Sequence, residues 1–235
     1  MEFKHNLTQE EFYASRFDDN FDDSHNEECD PLSDEDEYKL KKSLIFIRAY
    51  YHMLKDDPEK SNHMIMKLYL KLNYLNDILY RANLHELKGF QKIIPILLDL
   101  STNECNLLHS CSLNILASST YLFNDIIDEL LEYHFYDSIN FNLRIPAENF
   151  PDKRHVFRWI YNFLNTHENL AVQFFDNVSI SDIFESSKDY LSIANDSYCQ
   201  IMFTHIILLK NLTSEQIQTC VLFFNYCLQE QKIEG

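Results

Sequence analysis

A pattern that returns after about 48 residues constrains this chain more than any other feature of its sequence. Residues 101–133 read STNECNLLHSCSLNILASSTYLFNDIIDELLEY. Shifted along the chain, Leu116 falls on Leu164 and then on Leu212. Ile126 falls on Phe174 and Leu222, and Ile127 on Phe175 and Phe223. Ser118, Thr166 and Ser214 hold the same place in each copy, where a helix break is expected. A period of this length marks stacked units, each burying its apolar face against a neighbour. These recurring positions, with Leu98 and Leu113, are the expected core.

Glycine decides between helices and strands as the building block. Only Gly89 and Gly235 occur in 235 residues, with five prolines, whereas sheet-rich folds spend glycine on their turns. With 46% hydrophobic residues, including 18 Phe and 14 Tyr, the chain has material for a large core. Leu40, Leu44, Ile47, Tyr51 and Leu54 keep the 3–4 spacing of an amphipathic helix over 37–54. DDPEKSN at 56–62 breaks it, and a second helix runs over 62–73, resuming after a short break towards Asn83. Gly89 reads as a helix C-cap, and Pro95 suits the first turn of a short apolar helix over 92–100. The polar turn 101–104 can cap a helix over 106–117. Through FYDSINFNLRIPAENFP no clear helical pattern is legible.

Gly89, then Ile94-Pro95-Ile96-Leu97-Leu98, a polar turn, Leu107-Leu108 and Ser112-Leu113-Asn114-Ile115-Leu116-Ala117-Ser118 together resemble an armadillo repeat. The resemblance implies an all-α, armadillo-like right-handed α-solenoid of about four units over residues 38–235, preceded by a disordered acidic tail, 1–37. It places the groove-lining third helices at roughly 61–72, 106–117, 153–165 and 198–212, with successors near Leu122, Glu168 and Ser214. HEAT-type repeats and a generic helical domain fit the same pattern.

Importin-alpha-type armadillo proteins carry a Trp and, one turn later, an Asn on each such helix. The corresponding pairs here are His63/Lys67, Cys111/Ile115, Trp159/Phe163 and Ile207/Asn211, so one Trp and one Asn survive, in different repeats. Asn114 and Asn162 sit one residue early, about 100° around the helix. The resemblance therefore carries the fold further than the import function. Lys67, Arg158, Trp159, Phe163 and Asn211 are the candidate partner-binding residues, although a buried structural place suits Trp159 better. Lys153 and Arg154, beside Arg158, read as cations solvating a helix start near Asp152 and Glu148.

Charge narrows the partners. The net charge is −17. Residues 1–37 hold 14 acidic and 2 basic side chains, residues 38–92 hold 5 and 11, and residues 93–235 hold 18 and 7. Such a balance disfavours nucleic acid, which binds basic surfaces, and favours a protein or peptide partner, a basic one fitting best. Opposite charge also leads to the expectation that residues 18–37 fold back over Lys39, Lys41, Lys42, Lys67 and Lys71. The opening MEFKHNLTQEEF lacks the apolar segment of a signal peptide, and no apolar run matches a membrane span. The six cysteines are accordingly expected as free thiols in the cytoplasm or nucleus.

Cys105, His109 and Cys111 are of metal-ligand type but lack a spaced second pair, so neither a metal nor a cofactor is expected. No nucleophile elbow or His-Glu-x-x-His motif is present. The reading is a non-enzymatic protein-binding scaffold or adaptor. The alternatives are a divergent importin-alpha-like adaptor and, from another class, an enzyme or small-molecule binder using a pocket between helices.

Overall fold

The computed structural model describes residues 33–56, 61–81, 89–146, 153–191 and 212–230, and every described element is a helix or a turn. Ser33 opens the first helix, α1 (Asp34–Asp56). Its Oγ accepts the Asp36 amide at 3.1 Å and its hydroxyl donates to Asp36 Oδ2 at 2.8 Å. Asp34, Glu35, Asp36 and Glu37 then fill the first turn, where the exposed amide ends of the helix favour negative charge. This corrects the expected boundary. Residues 34–37 belong to the folded helix and not to an acidic tail, because their charge suits a helix start. Residues 1–32, with the remainder of the expected tail, lie outside the described residues.

Helix α2 (Ser61–Arg81) runs unbroken past the expected stop near Asn73, since Met64, Leu68, Leu72, Leu75 and Leu79 continue one buried stripe. It lies antiparallel to α1, Lys71 meeting Phe46 and Lys67 meeting Tyr50. Gly89 has a φ of +86°, a region that costs other residues, and a Cβ there would meet nothing within 4 Å. Gly89→Ala should therefore cost about 1 kcal/mol of unfolding free energy from conformation alone, measurable by urea titration. A neutral result would show that the backbone relaxes. The residues before it, 82–88, lie outside those described, so its expected role as a helix C-cap does too.

A 3₁₀ turn, Gln91–Ile93, leads into α3 (Ile94–Leu100), with Pro95 in its first turn. Helix α4 (Asn106–Leu122) follows and is buried on nearly every side, from Leu108 and His109 to Ser119 and Thr120. Its small hydroxyls return to its own backbone: Ser119 and Thr120 both donate to the Leu116 carbonyl, at 3.1 and 2.8 Å. Ser118 therefore lies inside a helix, and the break expected there falls at Phe123 instead.

A second 3₁₀ turn, Asn124–Ile126, precedes α5 (Ile127–Glu132) and α6 (Phe135–Arg144). Helix α7 is Arg154–Thr166. A third 3₁₀ turn, Glu168–Leu170, leads into α8 (Ala171–Asn177) and α9 (Ile180–Leu191), and α10 is Ser214–Glu230. Contacts follow chain order. Helix α1 packs on α2, α2 on α4, α4 on α7, and α9 on α10, with the short helices bridging at the sides.

Leu98, Leu113, Leu116, Ile126, Leu164, Phe174 and Phe223 are buried as expected. Ile127, Phe175 and Leu212 are only partly so, and Leu222 is half exposed. On α10 the buried pair is Cys220 and Phe223, one turn apart, which swings Leu222 outward. The spacing from Phe174 to its buried counterpart has thus lengthened by one residue. Ile217, Val221 and Leu222 form a half-exposed apolar face on the same helix. Among the described residues no helix is long and apolar enough to cross a membrane.

Candidate functional site

The antiparallel contact of α1 and α2 brings a strip of lysines and aromatic rings to the surface. On α1, Tyr38, Lys42, Phe46 and Tyr50 recur every fourth residue and so lie along one side of the helix. On α2, Lys67, Lys71 and Tyr74 face them. Phe46 and Tyr50 stack nearly parallel, with centroids 5.6 Å apart. Lys71 Nζ lies 5.4 Å from the Phe46 centroid, Lys67 Nζ 5.7 Å from that of Tyr50, and Lys42 Nζ within 6 Å of both Tyr38 and Phe46. Each ammonium sits against the negative face of a ring, worth about 0.5–1 kcal/mol at an exposed site. A groove of about 290 Å³ runs between the helices, lined by Lys39, Lys42, Ser43, Phe46, Lys71 and Tyr74.

Acidic groups frame the strip at both ends. At the start of α1, Lys39 pairs with Glu35 at 2.6 Å, and this partner raises the Lys39 pKa. Lys41 pairs with Glu37 at 2.5 Å. At the far end, Asp99 of α3 accepts from Tyr51 and from Lys55, both at 3.0 Å. Burial and the Asp99 carboxylate push the Tyr51 phenol up, and the same carboxylate raises Lys55. Between these ends, Lys42, Lys67 and Lys71 have no carboxylate partner among the described residues; their contacts are the rings.

The structure disperses the five sequence candidates. Lys67 belongs to the strip. Trp159 and Phe163 are fully buried, so on this chain the surviving Trp faces the core and no ligand. Phe135 packs edge-on against Trp159 at 5.0 Å and in turn meets Phe163 and Phe174, in one aromatic cluster joining α6, α7 and α8. Arg158 is half buried between α4 and α7. Its guanidinium donates to the Asn114 carbonyl at 3.0 Å, the Asn114 Oδ1 at 2.5 Å and the Ser118 Oγ at 2.9 Å. Asn211 lies outside the described residues.

The early-placed asparagines have structural duties. Asn114 Nδ2 donates to Asn76 Oδ1 at 2.9 Å, and Asn162 Nδ2 donates to the Ala117 carbonyl at 2.7 Å. They tie successive long helices together. Lys153 departs furthest from expectation: it is 2% exposed, and its ammonium donates to the Leu143 carbonyl at 3.1 Å and Ser186 Oγ at 2.8 Å. It stitches α6 to α9 and does not solvate the start of α7. The expected fold-back of residues 18–37 concerns residues outside those described, except 33–37, which form the start of α1.

His109, Asn142, Ser138 and Ser101 form a second polar group, wholly inside. His109 Nε2 lies 2.5 Å from Asn142 Oδ1, while Asn142 Nδ2 donates to the carbonyls of Ser101 and Ser138. With both amide hydrogens committed, Asn142 offers only its oxygen, so His109 Nε2 is the donor. Cys105 is a free thiol, as is Cys220, whose burial pushes its pKa up to about 11. Among the described residues no three His, Cys, Asp or Glu side chains converge on a point.

Sequence reasoning named the strip's lysines but missed Tyr38, Phe46, Tyr50 and Tyr74. The four-residue recurrence of aromatic and lysine on α1 was the available signal. Comparison with protein-family models, with curated proteins and with solved structures finds no match to this chain.

Proposed function

We propose that the chain is a non-enzymatic protein-binding module, an armadillo-like α-solenoid of the cytoplasm or nucleus, and that it docks a partner protein on the α1–α2 strip. One observation carries this reading: Lys42, Lys67 and Lys71 stand on exposed or half-exposed ring surfaces with no carboxylate partner among the described residues. Three cations held in place, beside stacked rings that lose little freedom on binding, form a ready surface for a protein ligand. The order of contacts along α1, α2, α4 and α7 supports the solenoid, since each long helix packs on the next. Free thiols at Cys105 and Cys220 suit a reducing compartment.

Site-specific photo-crosslinking tests the docking face. With benzoylphenylalanine in place of Tyr38, 65% exposed, we expect discrete protein adducts in cell extract. They should vanish in the K42E/K67E/K71E background, and the same label at Val172 on α8 should not give them. Equal adducts at both positions, or adducts that survive the charge reversal, would remove the strip from consideration.

A further inference from the structure

We propose that the α1–α2 strip recognises a short, extended, acidic segment of its partner, about six residues long, with carboxylates at alternate positions. This rests on the docking reading above and specifies its ligand. The first argument is pitch. Successive strip residues on α1 are one helical step of four residues apart, a rise of about 6 Å, and Lys67 and Lys71 keep the same step on α2. Alternate side chains of an extended peptide recur every 6.4–6.8 Å or so. A peptide laid along the groove therefore meets one turn of each helix with every second residue. Its carboxylates, on one side of the strand, reach Lys71 and Lys67 of α2, and the residues between them, on the other side, face the Phe46 and Tyr50 rings of α1.

The second argument is chemistry. The strip's neighbouring lysines already hold carboxylates: Glu35 on Lys39 and Glu37 on Lys41. Lys42, Lys67 and Lys71 offer the same ammonium, and among the described residues no arginine lines the groove to favour the forked recognition of phosphate.

The third argument is length. From Tyr38 to Tyr50 the strip spans about 18 Å, which an extended chain crosses in five or six residues. Beyond that distance a polyanion meets the acids Asp34 to Glu37 at one end and Asp99 at the other. A nucleic-acid strand would carry its charge into both. A peptide whose acidic part is short does not.

Three fluorescein-labelled probes titrated into the full-length chain, followed by anisotropy, test the proposal. The first is an octapeptide of alternating Glu and Tyr. The second has four Glu followed by four Tyr, and the third is an eight-nucleotide oligo(dT). We expect the alternating peptide to bind best, and to lose about tenfold in affinity when Lys42, Lys67 and Lys71 are all replaced by Glu. A similar loss should follow a rise from 50 to 500 mM salt, on the order expected from screening. The neutral K42Q/K67Q/K71Q variant should fall between, and circular dichroism checks that each variant stays helical. Equal binding of the block peptide would overturn the extended register, and equal or tighter binding of oligo(dT) would overturn the choice of a peptide. No measurable peptide binding, with Tyr38 adducts still lost on charge reversal, would discard this ligand and leave the docking face in place. Absence of both would discard both.

Discussion

Truncating Trp159 to alanine is expected to remove about 3–5 kcal/mol of unfolding free energy, a large share of what a domain of this kind possesses. The indole is fully buried where α6, α7 and α8 meet, edge-on to Phe135. Its Nε1 donates to Thr120 Oγ1 at 3.0 Å, reaching across to α4. Trp159→Phe keeps most of the ring volume and loses the bond, so it should cost roughly 1–2 kcal/mol. Adding Thr120→Val to Trp159→Phe should then cost less than Thr120→Val does alone, because the partner has already gone. Urea unfolding of the single and double variants measures all of this. A loss below about 1 kcal/mol for Trp159→Ala would mean that α7 is seated differently. The same result governs any binding experiment at this residue: weaker binding in Trp159→Ala reports damage to the core, not a lost contact with a partner.

The second large effect is in pH. His155 lies buried on α7, and burial, then the charges of Arg158, Arg154 and His109, push its pKa well below that of an ordinary imidazole. The unfolded chain takes up a proton near pH 6.5, while the folded chain refuses it. Stability from this group is therefore fully present above pH 6.5 and declines as the pH falls below it. The decline is about 1.4 kcal/mol per pH unit until the folded group itself protonates. His167, lowered by its own burial, adds in the same direction. Urea midpoints measured from pH 7.5 down to pH 5 should shift accordingly, and His155→Leu should flatten the slope relative to the parent. A parent with no slope, or a variant that keeps it, would show that His155 is protonated in the folded chain.

The long helices were legible because their apolar residues are unmixed. Leu116 and Leu164 sit on stripes that a 3.6-residue period finds directly, and both are fully buried. Helix α6 was hidden by the opposite circumstance. Phe135, Ile139 and Leu143 keep the spacing, but Ser138 and Asn142 are buried between them, so the stripe does not read as apolar. Their burial follows from Ser101 and His109, partners far away in the sequence. Lys153 was misplaced for the same reason: its hydrogen-bond partners on α6 and α9 exist only after folding. Ser118 looked like a break because serine is a poor interior residue, yet Arg158 satisfies its hydroxyl. At the candidate site the charges were visible and the geometry was not. Which rings stand under Lys67 and Lys71 depends on the register between α1 and α2, and no local pattern fixes that register.

Helix α4 has a consequence for how the chain emerges from the ribosome. With most of its surface covered by α2, α3 and α7, it leaves little beyond Asn106 and Tyr121 to water. Helices α2 and α3 precede it in synthesis, but Thr166, the last residue of α7, appears roughly 44 residues after α4 is complete. At 5–20 residues per second that leaves a wait of about 2–9 seconds. For that interval the side of α4 bearing Ala117 and Thr120 stands open, a greasy ledge in a crowded cell. Synonymous codons that slow decoding between Leu122 and Thr166 would lengthen the exposure without altering a single side chain.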